Sequence, residues 1–195
     1  MGGIVGWLGV ESTALVATVE KCSNTGNLTI SGTGKGRFGG ISGGTANVMG
    51  CTNNANVTVN SADATSVAAL GLGFHTQGRK VNHCVLEGAV VANCKIDGVG
   101  GLYGGQGNAA EESKTYSNKV NATITTDASV TNFGLVVGKI SSGAKVVVLG
   151  TDANPIQVKG TVNGTAVTAE NLANFLFNGG TAVDNKSVKA VLWTE

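Results

Sequence analysis

Apolar and polar residues alternate in four short stretches of this chain, and the stretches resemble one another. Cys22-Ser-Asn-Thr-Gly-Asn-Leu-Thr-Ile30 returns as Cys51-Thr-Asn-Asn-Ala-Asn-Val-Thr-Val59, weakly as Cys84-Val-Leu-Glu-Gly-Ala-Val-Val-Ala92, and again as Tyr116-Ser-Asn-Lys-Val-Asn-Ala-Thr-Ile124. Leu28 and Ile30, Val57 and Val59, Val90 and Ala92, and Ala122 and Ile124 point one way, while Asn27, Thr29, Asn56, Thr58, Asn121 and Thr123 point the other. A period of two with β-branched residues predicts strands, each with one buried and one wet face. The anchors Cys22, Cys51, Cys84 and Tyr116 lie 29, 33 and 32 residues apart. A period of that size predicts a solenoid, in which each unit buries its apolar face only against its neighbours. Asn24, Asn53 and Asn118 follow the anchors by two residues, where a bend between sheets suits a side chain that tolerates a left-handed backbone.

A second element precedes each anchor: Gly3-Ile4-Val5-Gly6, Gly40-Ile41-Ser42-Gly43, Ala69-Leu70-Gly71, Gly101-Leu102-Tyr103-Gly104 and Gly134-Leu135-Val136. Read as short strands, these complete an all-β fold: a parallel β-helix of about five coils of roughly 30 residues, stacked about 4.8 Å apart. The repeats occupy 1–160. Residues 161–195 read as a cap in the same domain, with an Asn163-Gly164 hairpin turn, a short helix begun at Thr168 with Leu172, Phe175 and Leu176 on one face, and a last strand through Val188, Ala190 and Leu192. Pro155, set against Asn121 of the preceding unit, reads as the place where pairing stops. The opposite end has no such device, so either Val10–Val19 covers it through Leu15, Val16 and Val19 or chains associate through it, and the oligomeric state stays open.

Gly-Gly-Ile-Val-Gly6 followed by Cys22-Ser-Asn-Thr-Gly-Asn-Leu-Thr29 resembles the GLUG repeat of bacterial surface and secreted proteins, over roughly residues 2 to 140. The third unit departs from the pattern at Gly71-Leu72-Gly73 and Leu86. The resemblance implies an exported, adhesin-like β-helical module at the cell surface or outside the cell, and it brings no catalytic residues with it. Because Met1-Gly-Gly already lies inside a repeat, an export signal and further repeats are expected upstream in a longer precursor.

Composition narrows the partners. Among 195 residues there are 31 Gly, one Pro, 13% charged residues and a net charge of +1, so no clustered basic footprint for nucleic acid exists. No run approaches the ~18 apolar residues of a membrane span. Three of the four cysteines share one repeat position, and with neither a Cys-x-x-Cys pair nor a His cluster they read as small buried hydrophobes; no metal and no cofactor is expected. Gly34-Lys-Gly-Arg-Phe-Gly39 has the letters of a dinucleotide loop but no helix to follow it. The Asn-x-Ser/Thr triplets at Asn27, Asn56, Asn121, Asn163 and Asn185 follow largely from the repeat and read as outward strand residues rather than glycan acceptors. A threonine ladder for ice is broken at Ala89 and Val91.

Carboxylates are sparse, no nucleophile has a base in reach, and Glu111-Glu112 reads as a solvated loop, so the chain is expected not to be an enzyme. The segments between glycine element and anchor vary in length and emerge along one edge, which in solenoids is often the binding surface. That edge assigns Trp7, His75, Arg79, Tyr103 and Glu111 as ligand-binding candidates for a glycan or a host or surface protein. The expected function is therefore a non-catalytic extracellular binding or adhesion module. A polysaccharide lyase or hydrolase, and a purely structural spacer, are the alternatives.

Overall fold

The computed structural model describes residues 1–6, 17–44, 46–75, 79–107, 114–141, 147–181 and 186–194. It is a parallel β-solenoid of about five turns, and two short 3-10 turns are its only helical elements among the described residues. Each full coil visits four stacks. A six-stranded sheet starts with Thr18–Glu20, Asn47–Met49 and Lys80–Asn82, and a nine-stranded sheet carries Leu28–Ser31, Val57–Ser61, Val85–Ala92, Lys119–Thr126 and Ile156–Val162. A four-stranded sheet (Arg37–Gly39, Val67–Ala69, Gly98–Gly100, Phe133–Gly134) and a three-stranded one (Leu72–His75, Tyr103–Gln106, Val137–Ile140) complete the turn.

The alternation read from the sequence becomes columns of one side-chain type. Leu28, Val57, Val90 and Ile124 stack in register, as do Ile30, Val59 and Ala92. All but Leu28, which lies in the first coil, are buried. One assignment shifts: Asn82 pairs with Tyr116 and Val85 with Lys119, so Asn118 rather than Tyr116 stands above Cys84. The slip is two residues. A slip of one would turn every inward side chain outward, whereas a slip of two preserves the faces, so alternation alone cannot distinguish the two registers. Asn118 is buried there because its Nδ2 donates to the Val81 carbonyl (2.8 Å) and its Oδ1 accepts from the Cys84 N–H (3.0 Å).

The asparagine bends are also relocated. The left-handed residues are Lys21, Gly50, His83 and Ser117, one before the column of Cys22, Cys51, Cys84 and Asn118. Asn24 and Asn53 instead point inward as a polar pair. Asn24 Nδ2 donates to Asn53 Oδ1 (2.8 Å) and the Gly40 carbonyl (2.9 Å), and Asn53 Nδ2 donates to the Ala55 carbonyl (2.8 Å). In the later coils Leu86 and Val120 take that column, and the satisfied amides give way to plain apolar packing.

The glycine elements are centred on the tight turns that join the four-stranded to the three-stranded sheet, and only their ends, at Ala69, Tyr103, Gly104 and Gly134, belong to the flanking strands. Ile41, Leu70, Leu102 and Leu135 are buried at these turns. Beside them the chain folds back so closely that backbone meets backbone. A Cβ on Gly100 would lie 1.8 Å from the Tyr103 carbonyl oxygen, and one on Gly104 would lie 2.6 Å from the Ala68 nitrogen. Ordinary sheets pack about 10 Å apart because side chains fill the gap. Here glycine removes the side chains, and the two sheets meet along a seam.

The C-terminal segment closes the stack differently from the expected cap. The Asn163-Gly164 hairpin forms, with both residues at positive φ. The helix is a 3-10 turn, Leu172–Phe175, preceded by Asn171 rather than capped by Thr168. Asn178 ends the seam sheet by accepting the Ile140 N–H (2.7 Å) through its side chain, as a next strand would. Lys186–Val188 and Ala190–Leu192 then add a partial sixth coil, parallel to Val147–Leu149 and Ile156–Val162. Pro155 stands in the column of Ser117, because Asn118 registers with Ile156, rather than in that of Asn121. At the other end Val19 is a buried residue of the first coil, paired with Val48, while Leu15 and Val16 lie outside the described residues.

The seam predicts a contrast between two glycine substitutions. Gly100→Ala is expected to cost more than about 3 kcal/mol in urea unfolding, since backbone rather than a pliable side chain would have to move. Gly32→Ala, where a Cβ meets nothing within 4 Å, is expected to stay within about 0.5 kcal/mol.

Candidate binding face

The five candidate residues fall into two groups. Trp7 and Glu111 lie outside the described residues. His75, Arg79 and Tyr103 come together, but inside the solenoid and not along an exposed edge: His75 and Tyr103 are 0% exposed and Arg79 5%. Strand register explains it. His75 and Gln106 pair across the three-stranded sheet, and Tyr103 stacks between Leu72 and Val137, so all of them occupy core columns.

The cluster braces two sheets. The Tyr103 hydroxyl is 2.5 Å from Thr115 Oγ1 on the six-stranded sheet, and the His75 ring lies 4.6 Å from the Tyr103 ring, tilted by 41°. His75 Nε2 is 2.8 Å from the Arg79 carbonyl oxygen, and Nδ1 is 2.6 Å from Gln106 Oε1. A carbonyl oxygen only accepts, so Nε2 must carry a proton. Burial pushes the imidazole pKa down to about 4, outweighing the two hydrogen bonds that favour the cation, so the ring is neutral at pH 7. Nδ1 then accepts, which requires the Gln106 carboxamide to present its NH2 end; protonation would reverse the amide. Burial also holds the Tyr103 phenol well above its ordinary pKa. Each of these groups is engaged in bracing the core.

Solvent meets a different set. Along the outside of the nine-stranded sheet, Thr29, Thr58, Val91 and Thr125 form one column. Asn27 and Asn56 are outward and exposed, as expected, yet their side chains serve the backbone. Asn27 Oδ1 accepts the Asn56 N–H (2.9 Å), and Asn56 Oδ1 accepts the Ala89 N–H (2.8 Å), which bridges a break between strands in each coil. Ser31, Asn60 and Asn93 make a side-chain ladder, with Asn93 Nδ2 donating to Asn60 Oδ1 at 2.9 Å.

At the C-terminal end of this face the chemistry changes. Lys119 pairs with Gln157, and Asn121 with Lys159. Trp193, whose N–H donates to the Val158 carbonyl (2.8 Å), lies beside them. Lys159 Nζ is 4.3 Å and Lys119 Nζ 5.3 Å from the Trp193 ring centroid, a distance at which an ammonium is held by the ring quadrupole. An aromatic surface, two cations and two carboxamides thus share one rigid sheet surface. The repeat reading passed over this group because it sits above the two-residue slip and beyond a four-residue loop at Thr151–Asn154. The only signal available was Trp193 one residue past the alternating Val188-Lys-Ala-Val-Leu192 run.

A cleft of about 360 Å³ is lined by Met1, Gly6, Lys35, Gly36 and Arg37, whose guanidinium lies 4.2 Å over the Phe74 ring. Among the described residues no group of three or more His, Cys, Asp and Glu is arranged to hold a metal ion, and no helix is long and apolar enough to cross a membrane. No family model, curated protein or solved structure matches the chain.

The buried imidazole makes a pH prediction. Its folded pKa lies below the unfolded value near 6.5, so the unfolded chain takes up the proton first. Its contribution is complete above pH 6.5 and is lost as pH falls toward 4, to a limit of ~3 kcal/mol. Urea midpoints should therefore drop between pH 7 and 5. His75→Gln, which keeps hydrogen-bonding groups and removes the titration, should flatten that drop. Asp63 and Asp127, whose side-chain bonds from Thr65 and Ser129 depress their pKa values, act only at lower pH.

Proposed function

We propose that the chain is a non-catalytic binding module of an extracellular or cell-surface bacterial protein, and that it takes a glycan on the outside of the nine-stranded sheet. The observation that carries this reading is the group Trp193, Lys119, Lys159, Asn121 and Gln157. An indole offers a flat apolar surface to the C–H face of a sugar ring, while ammonium and carboxamide groups donate and accept at its hydroxyls. Parallel strands hold Lys119, Lys159, Asn121 and Gln157, and the backbone bond to Val158 fixes Trp193 just past its strand, so little entropy opposes binding. The GLUG-like residues quoted above support an exported setting.

One observation favours the structural-spacer alternative over the rest of the face. Asn27 and Asn56 have their side-chain oxygens occupied by backbone N–H groups, so the N-terminal coils offer a ligand fewer free acceptors.

Screening the protein against glycan and host-protein arrays tests the reading. Retention of a glycan is expected, with Trp193→Ala weakening it about tenfold or more at an unchanged melting midpoint. A wild-type protein that retains no glycan, or binding untouched by Trp193→Ala, contradicts the site. Shortening of the recovered glycan contradicts the non-catalytic assignment.

A further inference from the structure

The fold places three of the four cysteines one above another. The pairs Glu20 with Met49 and Ser23 with Thr52 bracket Cys22 against Cys51, and Met49 with Asn82 and Thr52 with Val85 bracket Cys51 against Cys84. The Thr52 N–H donates to the Cys22 carbonyl (2.9 Å), and the Val85 N–H to that of Cys51 (3.0 Å), so neighbouring Cα atoms sit at the ladder spacing of about 4.8 Å. That lies inside the ~4.4–6.8 Å range over which a disulfide closes. The thiols lie between coils: Cys51 Sγ is 3.5 Å from the carbonyl oxygens of both Val19 in the preceding coil and Met49 in its own, and Cys84 Sγ is 3.8 Å from that of Val48 and 3.5 Å from that of Asn82. All four cysteines are free in this structure. Cys94 is not a partner for Cys84, because the strand Val85–Ala92 runs extended between them.

We infer that Cys22 and Cys51 form an oxidative cross-link site that staples the first coil to the second. Access selects this pair over Cys51 and Cys84. Cys22 is half-buried and meets the oxidant first, whereas Cys51 and Cys84 are both buried and burial raises the pKa of both thiols, that of Cys84 to about 12; the mixed disulfide on Cys22 is then resolved by Cys51, the cysteine registered with it in the next coil. The oxidant is a small-molecule disulfide such as oxidised glutathione. The Cys22 thiolate attacks one of its sulfurs, forms a mixed disulfide and releases one thiolate. The Cys51 thiolate then attacks the Cys22 sulfur and releases the second. Two protein thiols lose two electrons and two protons, and the oxidant leaves as two thiols. The link is placed where it matters, since among the described residues the strands of the first coil pair with the second coil alone. The inference does not rest on the glycan reading, because thiol geometry alone carries it.

Peptide mapping decides the matter. Trypsin cuts after Lys21, Lys35, Arg37, Arg79, Lys80 and Lys95, which puts Cys22 in 22–35, Cys51 in 38–79, and both Cys84 and Cys94 in 81–95. After reduced wild-type protein is incubated with oxidised glutathione at pH 8, peptide 22–35 is expected joined to 38–79. The melting midpoint should rise by roughly 5–10 °C and return on adding dithiothreitol. Cys51→Ser should leave Cys22 as a stable glutathione adduct. The inference is overturned by a link between 38–79 and 81–95, by adducts on Cys22 and Cys94 with no link, or by four thiols left unreacted. A link that forms without raising the midpoint overturns its role as a staple.

Discussion

The close approach of two backbones at the glycine seam is the constraint from which the rest of the solenoid follows. Each coil turns back on itself at Gly40-Ile41, Leu70-Gly71, Gly101-Leu102 or its equivalent. The following glycines, Gly73, Gly104 and Gly138, lie directly against Phe38, Ala68 and Val99 of the adjoining sheet. Without side chains between them these two sheets cannot supply a core of their own. The buried residues at the turns, Ile41, Leu70, Leu102 and Leu135, project instead toward the space enclosed with the nine-stranded sheet. Gly40 and Gly101 would clash with the side chains of Asn53 and Val120, so the same glycines also make room for that column. One residue type therefore sets the spacing of the sheets and the size of the core.

Much of this was legible in the chain, and the misreadings have a common cause. Strand faces follow from period-two alternation, which is a local property, and the stacking of Leu28, Val57 and Val90 came out as expected. Register between coils is not local. It depends on how many residues each turn consumes, and the fourth unit aligns two residues early because Tyr116-Ser-Asn118 repeats the letters of Cys22-Ser-Asn24, whereas Tyr116 pairs with Asn82. From that slip came the misplacement of Tyr116 and Asn118, while that of Pro155 came from the four-residue loop Thr151–Asn154 one coil later. The glycine elements were assigned as strands because composition distinguishes a tight turn from a short strand poorly when both are apolar and glycine-rich.

The binding candidates illustrate the same limit. Variable segments between repeats were expected to emerge as loops, yet His75, Gln106 and Arg79 lie in or beside strands whose side chains face inward. A histidine with an aromatic neighbour reads alike in sequence whether it faces a ligand or a buried Tyr103. Trp193 was overlooked for the opposite reason, since its neighbours Lys119 and Lys159 are distant in sequence and meet only through the registers of three coils. The outward Asn27 and Asn56, part of the most regular feature of the chain, complete the hydrogen bonding of the coil above. Regularity here marks architecture, and the irregular end of the stack carries the chemistry a ligand could use.

The seam is tested most directly by proton contacts across it. In a nuclear Overhauser spectrum the account requires strong cross-peaks from a Gly104 Hα to the Ala68 amide proton and from a Gly138 Hα to that of Val99, since a Cβ on these glycines would lie 2.6 and 2.4 Å from the two nitrogens. Finding ladder contacts such as Leu28 to Val57 while both glycine contacts are missing would show that the sheets diverge there, and would contradict the account.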